Sequence, residues 1–343
     1  MTESASSQTV DPDRFAATDI LWVKSGKTMS WALASNRYML LIPGAAIGGQ
    51  LTCYDNAMGP PEAVLAAQPH RVLVMGKDHN GSLAQLAVAA RQAGRTVIGA
   101  FADWHFEKPH VRALAEAAHA CVVQTAPMAD AFARHYAIAP AIIEEPYEGI
   151  RLPPKTAFSP RIRLLWFGQA ANLDGLEFGL KALCSGPLPP IQLVVVCNDP
   201  AAVSALLSRV RLGDGIAAEI HAWNPDTQQG ALEWADFVFL PNLSTPEKAV
   251  KGHNRLTQAL HAGRLALASP MPQYLEMADY CLTGDAFRGN LLWALANPDL
   301  AWARVHAGQA YIDTRFAPAI IGRKWAALIR RLMDEQQPLS PPA

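Results

Sequence analysis

The chain is poor in cysteine, has no long apolar run and carries no excess charge of either sign. Its five cysteines (Cys53, Cys121, Cys184, Cys197, Cys281) are scattered along 343 residues, and none forms a C-x-x-C pair. That pattern offers neither a disulfide framework nor a zinc site, so each thiol is expected to pack as a small apolar group. A spanning helix needs roughly 20 apolar residues, and the Met39–Ile47 run is too short. The amino-terminal layout is not that of a signal peptide. Lysine and arginine number 29 against 30 aspartates and glutamates, a formal net charge of −1. No overall field therefore steers the chain to nucleic acid or to an anionic bilayer. Carboxylate pairs suited to a metal are missing as well. Asp11–Pro12–Asp13 has the D-x-D form, but it falls in a polar, aperiodic stretch, residues 1–17, read as a disordered tail in which the match is chance. No sequence unit repeats at a short period. The expectation is a cytoplasmic protein without metal and without a nucleic-acid partner.

Half of the residues are hydrophobic, and the length suits two domains of roughly 150 residues each. Short apolar runs alternate with helical patterns throughout. In the first half, strands are expected over Asp19–Val23, Gln50–Tyr54, Arg71–Met75, Thr96–Phe101, Ala120–Gln124 and Ile142–Glu144. Helices are expected between them over Trp31–Leu41, Pro60–Ala67, Ser82–Ala93, Val111–Ala117 and Ala126–Tyr136. Pro153–Pro160 reads as an extended linker. The second half repeats the alternation, with strands over Arg161–Phe167, Ile191–Val196, Ala218–Ala222, Phe237–Leu240 and Leu265–Ala268, and helices to Met333. This order predicts two doubly wound parallel sheets. The boundaries are set at 18–152 and 153–312, with a last helix over 313–335 and a polar tail, Gln336–Ala343.

In open α/β sheets, ligands sit outside the carboxyl ends of the strands. The loops there carry Lys24, Ser25 and Lys27, then Lys77, Asp78 and His79, then Asp103 and His105. Imidazoles on two such loops could accept protons near neutral pH. The same residues also read as plain turn chemistry.

The most informative stretch is Asp236–Glu276. Its helix is expected to start near Gly252 and to close on a left-handed Gly263. Lys251, Asn254, Arg255 and Gln258 are spaced i, i+3, i+4, i+7 and share one face, while Leu256, Ala259 and Leu260 cover the other. Two cations at a helix amino terminus oppose the macrodipole by a few tenths of a kcal/mol to about 1 kcal/mol. A bound phosphate would remove the conflict; a solvated polar face is the plainer alternative.

These residues resemble a family pattern. Ala235–Asp236, Pro241, a polar loop, a helix closing over Ala259–Gly263, then Ser269, Pro272 and Glu276 follow one another as in the carboxyl-terminal domain of GT-B glycosyltransferases. The K-x-x-N-R-L form (Lys251–Leu256) and W-F-G-x-x-x-N-x-x-G-L (Trp166–Leu176) resemble a bacterial polysaccharide and cell-surface subset of the large retaining GT-B class. The resemblance implies two Rossmann-like domains facing across a cleft, the first on the acceptor side and the second binding a nucleotide sugar, with the last helix crossing back. It implies transfer of a hexosyl or related group to a glycan, lipid-linked or other cell-surface acceptor, in polysaccharide biosynthesis and with loose docking at the inner face of the membrane. No cofactor beyond the nucleotide-sugar co-substrate is implied, and no metal.

On that reading Lys251, Arg255, Asn254, Gly168 and Gln169 meet the donor diphosphate, and Gln258, Trp223 and His221 meet the nucleoside, with Trp223 equally readable as a core residue. Asp103, His79 and His105 are the catalytic candidates, and Lys24, Ser25, Lys27, Lys77 and Asn172 line the cleft. Two departures stand out. Gln169 occupies the place of an arginine in many relatives, with no lysine before Lys181, so Lys251 and Arg255 must supply the charge. The paired glutamates of many relatives fall at Val250 and Gln258. Retention follows from the family alone; a base at Asp103 or His79 would allow inversion. A nucleotide-sugar epimerase and a non-catalytic GT-B-like binding or assembly protein remain as rivals.

Overall fold

The computed structural model describes residues 14–213 and 215–335. The Asp11–Pro12–Asp13 match and the Gln336–Ala343 tail lie outside them. The chain divides into two compact units, one holding the described residues up to Pro146 together with those from Pro318 onward, the other Tyr147–Ala317.

The first unit is built on six parallel strands: β1 (Ile20–Ser25), β2 (Gln50–Tyr54), β3 (Val72–Met75), β4 (Thr96–Ala100), β5 (Ala120–Val123) and β6 (Ala141–Ile142), in the order β2-β1-β3-β4-β5-β6. Every residue of β1, β3 and β4 is buried. Helices cover both faces of a parallel sheet, so Ile20–Val23, Val72–Met75 and Val97–Ala100 read as apolar runs, and only the ends at Lys24, Ser25 and Thr96 are polar. The helix expected over Trp31–Leu41 instead begins at Ala34, passes through a π turn at Arg37–Leu41 and runs on to Ile47. Pro43, which lacks an N–H, stands two residues past the wide turn. The closing helix, Pro318–Glu335, belongs to this unit. Its Trp325 meets Trp22 of β1 edge-on at 5.4 Å. Gly322 lets it approach the Ile42–Ile47 helix, since a Cβ there would lie 2.8 Å from the Ala46 methyl. The tail reading fails for its described part. Phe15 bridges Gly48 and lies under the Arg330 guanidinium at 5.1 Å, an anchoring by distant residues that local polarity conceals.

The second unit carries β7 (Ile162–Gly168), β8 (Ile191–Cys197), β9 (Ile216–Ala222), β10 (Phe237–Leu240), β11 (Leu265–Ala268) and β12 (Leu282–Thr283), all parallel, in the order β12-β11-β10-β7-β8-β9. Numbered from its own first strand this is 3-2-1-4-5-6, the dinucleotide-fold order. Three helices here begin on a polar cap followed at once by proline: Asp199–Pro200, Asn224–Pro225 and Thr245–Pro246. Each cap side chain accepts from an N–H three residues on, at 3.0, 2.8 and 3.4 Å. The unit starts earlier than the Pro153 boundary read from composition. Tyr147 stacks on His261 with ring centroids 4.0 Å apart, and its hydroxyl donates to Asp313 at 3.1 Å. Residues 147–152 and 313–317 therefore fold with the second sheet. Cys121, Cys197 and Cys281 are buried, Cys53 and Cys184 half-buried, and all five are free.

Candidate functional site

In the second sheet, strand order reverses between β7 and β10, and the loops leaving those two strands diverge there. The Leu173–Leu183 helix follows β7 and rests on the loop after β10. Two glycines make that approach fit: a Cβ at Gly175 would lie 2.8 Å from Pro241 O, and one at Gly179 would lie 2.4 Å from Pro241 Cβ. The short Pro246–Ala249 helix, not expected from sequence, follows, and the Asn254–His261 helix starts after His253. Gly263, at φ 64°, closes that helix as expected.

Arg255 occupies its first turn. Its Nη2 donates to Asn242 Oδ1 at 2.9 Å. A Cβ on Gly168 would stand 3.6 Å from Nη1, so the guanidinium lies over the end of β7. Nη1 is buried and has no hydrogen-bond partner. Behind Asn242 runs a short relay: its N–H donates to Ser269 Oγ at 2.9 Å, and the Ser269 hydroxyl donates to Asp285 Oδ1 at 2.7 Å. Asn242 and Ser269 are both buried. Ser269 belonged to a recognised motif; Asn242 and Asp285 carried no signal of their own in sequence.

Lys251 departs from expectation. It precedes the helix, in the turn where its N–H reaches Lys248 O at 3.4 Å, so it does not share a helical face with Arg255. The short Pro246–Ala249 helix and the turn over residues 250–253 come before the helix start. Lys248, by contrast, is tied to Asp174 at 2.6 Å. Asn254 opens the helix and is half-buried, with its carbonyl accepting from Thr257. Gln169 is exposed, its carbonyl accepting from Asn172 N at 2.9 Å, and Asn172 is the residue before the Leu173–Leu183 helix.

The nucleoside candidates divide. Trp223, half-buried against the apolar core, donates through Nε1 to Gln228 Oε1 at 2.7 Å; Gln228 Nε2 donates to Gln258 Oε1 at 2.6 Å; Gln258 Nε2 donates to Glu148 Oε1 at 3.3 Å. Gln258 is buried and is a member of this chain. Glu148 brings a carboxylate beside it that sequence reasoning did not assign. His221 is exposed near the end of β9, at the sheet edge, with Nε2 3.6 Å from Glu219.

In the first sheet the order reverses between β1 and β3. Lys24 and Ser25, expected in the loop, are the last residues of β1 and are buried. Lys24 Nζ donates to Thr28 O at 2.6 Å and Ser25 O at 3.3 Å, holding its own turn together. Lys27 is exposed. Ser25 Oγ accepts from His79 N at 3.5 Å, which brings the two loops together. Asp78 is buried and accepts from Gly81 N and Ala84 N at 3.0 Å each, so it staples the start of the Ser82–Gln92 helix. Lys77 pairs with Asp103 at 2.7 Å. Asp103 has φ 66°, a left-handed backbone uncommon outside glycine. The His79 and His105 imidazoles are held below the usual histidine range, first by desolvation and then by the lysines around them, Lys77 and Lys108. Both are therefore neutral proton acceptors at neutral pH.

Among the described residues no group of three or more histidine, cysteine, aspartate or glutamate side chains could hold a metal ion. No described helix is long and apolar enough to cross a membrane.

No protein-family profile matches the sequence, and no curated protein matches it. Solved structures do. HepE from Anabaena, in complex with UDP and glucose, superposes with a TM-score of 0.69 at 12% identity, over 92% of this chain and 100% of its own. A glycosyltransferase from Rickettsia africae gives a TM-score of 0.69 at 12% identity, over 93% and 99%. The lipopolysaccharide outer core galactosyltransferase WaaB, in its apo form, gives 0.59 at 12% identity, over 91% and 99%. These are GT-B glycosyltransferases, and the likeness establishes the two-sheet GT-B fold for this chain.

Proposed function

We propose that the protein is a glycosyltransferase moving a sugar from a nucleotide-diphosphate sugar to a glycan, lipid-linked or other cell-surface acceptor. One observation carries this: the buried, unpartnered Nη1 of Arg255 beside Gly168, at the carboxyl end of the second sheet. A buried guanidinium nitrogen without an acceptor is costly, on the order of 1–3 kcal/mol. A diphosphate oxygen lying over Gly168 would satisfy it. Similarity of fold to HepE, whose structures hold UDP, glucose and UDP-glucose, supports a nucleotide sugar as that ligand.

The chemistry needed is stabilisation of the charge that builds on a departing diphosphate, and preorganised donors can lower such a barrier by several kcal/mol. Arg255 gives the cation, the Asn242 relay fixes its direction, and Gly168 lets the phosphate approach the backbone. Lys251, Asn254 and Gln169 stand around the same end of the sheet. Cation and backbone donors would serve in place of a metal, and no cofactor enters. In the first unit, neutral His79 and His105 and the strained Asp103 are the groups suited to take a proton from an acceptor hydroxyl. We place the protein in the cytoplasm, with peripheral docking where its acceptor is lipid-linked. Gln169, standing where a second cation would be expected, favours the non-catalytic reading as the second choice.

Incubation with a panel of nucleotide sugars, with and without chelator, separates the readings. Release of nucleoside diphosphate in chelator supports metal-independent transfer. Isomerised donor would indicate an epimerase, and an unchanged panel a binding protein.

A further inference from the structure

The tripeptide Ala-Gly-Arg occurs twice, at Ala93–Arg95 and Ala262–Arg264, each time between a helix and a strand. Both copies close the helix alike. Gly94 and Gly263 have φ 70° and 64°, and their N–H groups reach Arg91 O and Leu260 O. The following arginine N–H groups reach Ala90 O and Ala259 O at 3.0 and 2.9 Å, completing a Schellman closure. In both copies the arginine then turns under the amino end of the next strand.

There the two part. Arg264 is almost wholly buried, and Nε, Nη1 and Nη2 all donate to carbonyls: Leu232 O, Pro153 O, Gly263 O and Glu233 O, at 2.8–3.1 Å. Arg95 donates through Nη2 to Leu65 O at 2.7 Å, while its Nη1 is buried without a partner. Arg95 instead lines a polar cavity of about 280 Å³ at the amino ends of β3 and β4, together with His70 and Arg71. His70 is 1% exposed. Its Nε2 lies 3.0 Å from Ala17 O and must carry the proton, so Nδ1 presents a lone pair, and Nδ1 is buried and unpartnered too. Burial, the first cause, and nearby Arg95 hold this imidazole below the usual histidine range, which agrees with the neutral tautomer.

We propose that this cavity binds a small oxyanion that also carries a hydroxyl, such as hydrogen phosphate or the phosphate monoester of a polyol. Arg95 Nη1 donates to an anionic oxygen, the hydroxyl donates to His70 Nδ1, and Arg71 adds positive charge at the mouth. An oxyanion without a hydroxyl satisfies only the arginine. The site lies at the opposite end of the first sheet from Lys77 and Asp103 and does not depend on the transferase reading.

The test is ¹⁵N NMR of His70 Nδ1 in the full chain at about pH 8, above the ordinary imidazole range. It has three arms at equal ionic strength: inorganic phosphate, glycerol 3-phosphate and sulfate. Because the signal comes from His70 itself, ions bound elsewhere do not enter it. A saturable shift with one or both phosphates, at least tenfold weaker with sulfate, is the expected result; which phosphate is stronger identifies the source. R95Q should abolish the shift. R71A, a change on an exposed side chain, should weaken it several-fold even if R95Q proves unstable. A signal that never moves, sulfate acting as well as phosphate, or a shift unaffected by R71A in folded protein would each overturn the site and leave only bound water there.

Discussion

At the carboxyl end of the first sheet Lys77, Asp78, Asp103 and Lys24 are answered from within the chain. Lys77 holds Asp103, Asp78 holds a helix start, and Lys24 holds the carbonyls of its own turn. At the corresponding end of the second sheet, Lys248 and Asp174 pair in the same way, but Arg255 keeps a buried nitrogen without an acceptor. Both ends have the same architecture, a reversal of strand order with two diverging loops. The difference shows that the fold supplies the place and the residues decide its use. Charge answered from within the chain builds the loop, and charge left over is available to something outside it. The two Ala-Gly-Arg closures repeat the lesson on a smaller scale, with Arg264 spent on four carbonyls and Arg95 only on one.

Four measurements can break or sharpen the contrast. Arg255→Ala should have the largest effect. Turnover of a nucleotide sugar should fall about 10²–10³-fold, as for loss of an oxyanion-stabilising donor, while the thermal midpoint stays within a few degrees. Equal turnover would make the two sheet ends alike. Gly175→Ala comes next, because its Cβ would press on Pro241 O at 2.8 Å. A backbone shift of that kind costs about 1–3 kcal/mol, visible as a lower denaturation midpoint. A neutral result would mean that the Leu173–Leu183 helix does not set the position of the β10 loop.

Ser269→Ala should act more weakly. It removes the link between Asn242 and Asp285 and loosens Arg255, lowering turnover about tenfold, the equivalent of one hydrogen bond of about 1.4 kcal/mol. Ser269→Thr should restore most of it; no rescue would assign the loss to packing. The smallest effect concerns pH. His79 and His105 have folded pKa values below the ordinary 6.5. As pH falls, the unfolded chain takes up these protons first, so stability is intact above about 6.5 and declines from there down to the folded values. Histidine NMR titrations should show both rings changing below pH 6.5, and rings titrating above it would remove them as neutral acceptors.

Much of the fold was readable. Phe237–Leu240, Leu265–Ala268 and Ala126–Tyr136 appear with the bounds expected, because buried parallel strands and a capped amphipathic helix announce themselves locally. The early strands were readable for the same reason, to within a residue or two. The site was less so. Gly168 and Arg255, grouped in the sequence only through the family resemblance, lie close together in the structure. Lys251 fell outside the helix, because the chain spends residues 250–253 on a turn that no periodicity marks. Lys24 and Ser25 shifted from loop to strand, where register with β2 extends to Tyr54.

Sequence alone determined the alternation of strands and helices, the glycines that close helices and the cations near one helix start, since each depends on neighbours a few residues away. Only the tertiary structure decided which polar groups remain unanswered. Whether Arg255, Arg95 or His70 finds a partner depends on residues such as Asn242, Leu65 and Ala17, which lie 13 to 53 positions along the chain. Hydrogen bonds at that separation follow from packing, and no local pattern encodes them.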